Sequence, residues 1–160
     1  MGGKRTFSEH IEGMKRYLYF ILALVAAIGA TAGSDIFARM AIAGESFDFA
    51  GSEHLRYALS SWIGTAFLFA PFVAVGWAAA AFHKRGRTRS AALIFALGLI
   101  PLTYFYFEGY QAAQQALADE QWTAAALSIG LLPFMIGIPV TLLVALASVV
   151  SLGIEARMSD

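Results

Sequence analysis

The chain has 160 residues, 59% of them hydrophobic and 14% charged, and a formal net charge of zero. Soluble domains average about 45–50% apolar and about 25% charged residues, so a soluble globular domain of this size is excluded. With no cysteine there are no disulfides, thiolate metal sites or cysteine nucleophiles, and short basic clusters beside apolar runs, at a pI of 6.8, lack a nucleic-acid footprint.

Residues 1–16 are polar and basic. Thr6-Phe7-Ser8-Glu9 fits a capping box, and Phe7, Ile11 and Met14 form one apolar stripe suited to a membrane surface. The first apolar run, 17–33, is just long enough to span a hydrocarbon core of about 30 Å. Ala30-Thr31-Ala32 after a basic segment also fits a cleavable signal peptide. Tyr17, Tyr19 and Phe20 at the start of the run favour a retained helix. Residues 34–56 form the longest connection. Within it Asp35 to Ala43 reads as a short interfacial helix, with Asp35 as its N-cap and Gly44 as its end, and Ser52 reads as the N-cap of the second span.

The second run, 57–82, carries Pro71. A basic turn at 83–90 holds Lys84, Arg85, Arg87 and Arg89. The third run, 91–110, carries Pro101. A polar, acidic stretch at 111–123, rich in Ala and Gln, reads as helical. The fourth run, 124–153, carries Pro133 and Pro139. Each run is continuously apolar, whereas a barrel strand alternates over about ten residues. The expected fold is an all-α integral membrane protein: one domain over 1–160, a four-transmembrane-helix bundle with kinked helices and both termini inside.

Orientation follows from the basic residues. Lys4, Arg5, Lys15, Arg16, the four in the 83–90 turn and Arg157 fall on one side, nine against two, with only Arg39 and Arg56 opposite. Cytoplasmic loops carry the excess, so both termini are expected in the cytoplasm, and short loops with this bias suit a bacterial inner membrane. Tyr17 and Tyr19 at one interface, and Trp62, Tyr104, Tyr106, Tyr110 and Trp122 at the other, form an aromatic belt.

Few residues carry chemistry. Glu108 lies about 25 Å along the third span, close to the outer interface, and is a candidate ion or proton site. The blander reading is an interfacial acid, solvated or paired with Arg56, Arg39 or His54. Asp35 joins the same candidate group. His10, His54 and His83 lie in three separate polar segments, so they form no metal site and none is deep enough to ligate haem. No cofactor is implied. No Ser-His-Asp set, phosphate loop or pair of facing acids is visible, and a non-enzyme is expected.

Small residues mark helix contacts: Gly29 with Gly33, Gly76 with Ala80, and Ala126 with Gly130. They are assigned first to packing within the bundle and second to assembly with other chains. Pro71, Pro101, Pro133 and Pro139 are kinks that fit the bundle together, or hinges. Single hydroxyls such as Thr65, Thr103, Ser128 and Thr141 bond back to their own helices.

The expected partners are the bilayer and either further copies of the chain or a larger membrane protein. The expected role is that of a non-enzymatic accessory or structural subunit. Two alternatives stand beside it: an oligomeric channel, small transporter or membrane effector in stress or defence, and an immunity-type protein shielding the membrane from a toxin.

Overall fold

The computed structural model describes residues 17–158, with side-chain surroundings for 17–151. The capping box at Thr6, the stripe of Phe7, Ile11 and Met14, and His10 lie outside the described residues. Within them the chain is all-helical. Helix α1 (Tyr17–Ala43) leads through a short turn to α2 (Phe47–Ser60). Then come α3 (Trp62–Lys84), α4 (Thr88–Ala118), α5 (Trp122–Gly130) and α6 (Ile138–Met158). Four stretches are long and apolar enough to cross a membrane: Tyr17–Ala43, Trp62–Lys84, Thr88–Ala118 and Trp122–Ser151. Large apolar side chains such as Trp77, Leu93, Ile100 and Leu142 point away from the bundle, which suits lipid as the surrounding solvent.

The third span, expected over 91–110, runs on as one helix to Ala118, taking in most of the 111–123 stretch, and the boundaries differ from the sequence reading in three further places. First, α1 does not end at Gly33. Gly33 keeps right-handed helical angles, and the helix passes through π-helical turns at Gly29–Gly33 and Arg39–Ala43. The separate interfacial helix is therefore the upper part of α1, and Asp35 lies inside a helix rather than capping one. Gly44, at φ 70°, does terminate it, because glycine occupies the left-handed region without a Cβ clash. Second, Ser46 rather than Ser52 caps α2, accepting from the Phe49 N–H at 3.4 Å, while the Ser52 hydroxyl donates to the Phe49 carbonyl at 2.9 Å. Third, the second span begins at Trp62. Ser61, at φ −118° and ψ 49°, breaks the apolar run, and Thr65 Oγ1 donates across the break to Ala58 and Ser61 carbonyls, both at 3.2 Å.

Helix α4 is the central element and packs against each of the other spans. Its buried residues Ala91, Ile94, Gly98, Leu102, Tyr106 and Tyr110 recur every three or four positions, so they form one stripe. Against it Phe72 of α3 meets Tyr106 edge-on, with ring centroids 5.1 Å apart. Close approach is made by small residues. A Cβ on Gly76 would meet Ala23 of α1 at 3.0 Å, one on Gly98 would fall 2.5 Å from Val75, and one on Gly137 would overlap Pro71. Ala80 is likewise buried. By contrast, Gly29, Gly33 and Gly130 have open space where a Cβ would stand, and Gly29, Gly33, Ala126 and Gly130 are exposed. The first-choice assignment of those four to packing within the bundle is therefore corrected, while Gly76 and Ala80 do pack there.

Pro71 and Pro101 sit inside α3 and α4. Pro133 opens a π-helical turn, Pro133–Gly137, and Pro139 is the second residue of α6. Near a helix start a missing N–H removes no internal bond, which accommodates Pro133 after the turn at Leu131, whereas Pro139 follows the π-helical turn inside a continuous helix. The basic turn joins α3 to α4. His83 and Lys84 stand in the last turn of α3, where positive charge complements the helix dipole.

Candidate functional site

Asp35 is the residue around which polar chemistry collects. It is 5% exposed, and a carboxylate so enclosed needs partners. Its own helix supplies Arg39, one turn on, whose Nε donates to Oδ2 at 3.2 Å and Oδ1 at 3.3 Å. Helix α2 supplies His54, with Nδ1 2.9 Å from Oδ2. Helix α4 supplies Gln114, whose Nε2 donates to Oδ1 at 3.1 Å. An ionised carboxylate only accepts, so His54 carries a proton on Nδ1. Three helices thus meet at one side chain.

Local structure explains how Asp35 arrives there. It lies between the two π-helical turns of α1, and it is buried together with Thr31, Ser34 and Ala38. Such turns insert a residue into the helical register and re-aim the side chains that follow, and they concentrate at functional positions. Thr31 is satisfied locally, its hydroxyl donating to the Ala27 carbonyl at 2.8 Å.

Arg39 has a second acid beside it, Glu45 in the turn before α2, with Nη1 3.6 Å from Oε2. One guanidinium therefore stands between two carboxylates. The far nitrogen of His54, Nε2, has no hydrogen-bond partner among the described residues. It is the cluster's open valence: an acceptor on the neutral ring and a donor on the charged one.

The cluster borders a cavity of about 230 Å³, whose wall also includes Tyr57, Tyr110, Gln114 and Trp122. This cavity shares Tyr57, Ala126 and Ile129 with a second of about 260 Å³, bounded by Ser61 and by Gly64 and Thr65 of α3. The second shares Phe67, Pro133 and Phe134 with a third of about 310 Å³, bounded by Pro71, Ala74 and Leu142. The first cavity lies among α1, α2, α4 and α5 and adjoins the other two, which together form a lateral groove between α3 and the fourth span.

Of the four candidate ionisable residues, the structure brings Asp35 and Arg39 together and leaves the other two apart. Arg56 pairs with Glu53 on exposed α2. Glu108 is exposed, on a face of α4 away from buried Tyr106, Tyr110 and Gln114. It forms no ion pair among the described residues, because Arg39, His54 and Arg56 are each engaged elsewhere. His54, Glu45 and Gln114 were not among the site residues drawn from the sequence. The only local signal was the Asp35–Arg39 spacing of four, which places opposite charges on one helix face. The described residues hold no group of three or more His, Cys, Asp or Glu fit for a metal ion. Hydroxyls in the spans are consumed locally, as with Ser128 donating to Ala124 at 2.9 Å and Thr141 to Gly137 at 2.8 Å.

Comparison with protein-family models, with curated proteins and with solved structures gives no match.

Proposed function

We propose that the protein acts without catalysis, as an accessory or structural subunit that assembles in the membrane with further copies of itself or with a larger membrane partner. The observation that carries this reading is the outward notch on α1. Gly29 and Gly33 are exposed, and nothing lies within 4 Å of a Cβ built on either. Their neighbours Val25 and Ile28 are exposed as well. Lipid tails give helices no hydrophobic reason to associate, so close backbone approach at such notches drives association. The division of nine basic residues against two supports placing the acidic α2 end outside a bacterial inner membrane and both termini in the cytoplasm.

The test is the assembly state of the full chain in mild detergent and by cross-linking in native membranes. A defined oligomer, or a stoichiometric larger partner, is the expected result, and Gly29→Leu with Gly33→Leu dissociates it while helix content is kept. A monomer without a partner in both settings sinks the proposal.

A second reading, a small transporter or membrane effector, draws on the open nitrogen of His54 at a cavity wall. Conductance or solute flux in vesicles, changed by His54→Ala, would favour it over assembly alone.

A further inference from the structure

The groove between α3 and the fourth span has the shape of an amphiphile, with a polar chamber at the α2 end opening into a long apolar trough. The trough is lined from Ser61, just before α3, to Ala74 within it, about 20 Å at 1.5 Å per residue, which suits a long alkyl chain. Gly64 and Gly130 keep its floor low, and nothing within 4 Å would meet a Cβ on Gly130.

Charge and aromatic content select the head. Arg39 is held between Asp35 and Glu45, so one guanidinium faces two carboxylates. The same end of the bundle carries Glu45, Asp48, Glu53, Glu108, Asp119 and Glu120 besides Asp35, and among the described residues only Arg39 and Arg56 oppose these seven acids. An anionic head would meet the Asp35 carboxylate on the chamber wall and Glu45 behind Arg39, whose guanidinium is already engaged by both. Tyr57, Tyr110 and Trp122 line the chamber, and aromatic faces attract ammonium groups at exposed as well as enclosed sites.

We propose that this chain binds a monocationic amphiphile, its ammonium head among Tyr57, Tyr110 and Trp122 beside the Asp35–Arg39–Glu45 cluster, and its alkyl tail in the trough between α3 and the fourth span. The site goes beyond the assembly role and does not depend on it, since the trough lies away from the Gly29–Gly33 notch.

The experiment is equilibrium binding to the full chain in maltoside micelles, with protein-free micelles as the blank. The probes are tetradecyltrimethylammonium, tetradecyl sulfate and tetradecanol. The expected result is saturable binding of the cation, one per chain, at least tenfold tighter than either of the others. Glu45→Gln weakens the cation several-fold and leaves the alcohol unchanged. Trp122→Leu, at an exposed position, also weakens the cation. Gly130→Leu fills the trough and abolishes saturation of all three probes, with the melting temperature monitored to separate blockage from unfolding. Equal affinity for the sulfate or the alcohol overturns the choice of a cation. No saturation by any probe, or saturation untouched by Gly130→Leu in a folded protein, overturns the site.

Discussion

At the scale of single residues, the most consequential side chain is Asp35, because its carboxylate joins α1, α2 and α4. Removing an accepting group leaves buried donors unanswered, at about 1–3 kcal/mol each. Asp35→Ala is expected to lower the melting temperature more than Gln114→Ala, and both more than Arg56→Ala, whose partner Glu53 sits with it on α2. Thermal unfolding in detergent checks the order. Glu120 offers the opposite case. Its φ of 60° places a side-chain-bearing residue in the left-handed region directly after α4, where a Cβ costs about 1–2 kcal/mol. Glu120→Gly is expected to raise stability by up to about 1 kcal/mol, less than the full strain because glycine also frees the unfolded chain. Tyr106 is a third case. Its hydroxyl is enclosed and has no hydrogen-bond partner among the described residues, so Tyr106→Phe is expected to be neutral or stabilising, which the same melting curve reads.

At the scale of elements, the glycines sort into two kinds that the sequence does not distinguish. Gly98 and Gly137 lie against Val75 and Pro71, whereas Gly29 and Gly33 face open space. Gly137→Ala is expected to destabilise by about 1–3 kcal/mol, because overpacking forces neighbours apart. Gly29→Ala is expected to leave stability unchanged or slightly raised, since alanine favours the helix. The four spans were legible because runs of about twenty apolar residues are their own signature. Their ends were not. Gly33 looked like a stop yet sits in a continuous helix, and Ser61 is a stop hidden inside an apolar run. The Asp35 cluster was hidden for a different reason. His54 and Gln114 are 19 and 79 positions from Asp35, and only the packing of α2 and α4 on α1 brings them together. The sequence reading offers His54 as a partner for Glu108, whereas the packing gives it to Asp35.

At the scale of the whole molecule, the two ends of the bundle differ in charge. The α2 end is acidic, and the α3–α4 turn presents Lys84, Arg85, Arg87 and Arg89. The helices between them expose apolar surface nearly all round, so the protein is expected to leave solution when detergent is removed and to sediment with lipid. If the proposed orientation holds, a tag on the last residues is protected in intact cells and one placed at Asp119 is accessible. Protease protection reads both outcomes, and the reverse pattern discards the orientation.

The α3–α4 turn has a consequence for the choice of lipid. In the proposed orientation, four cations within six residues, at the ends of two spans, would face a cytoplasmic leaflet whose acidic headgroups attract each of them by about 1 kcal/mol. A host membrane depleted of acidic phospholipid would loosen that grip, and a fraction of newly inserted chains would then settle upside down.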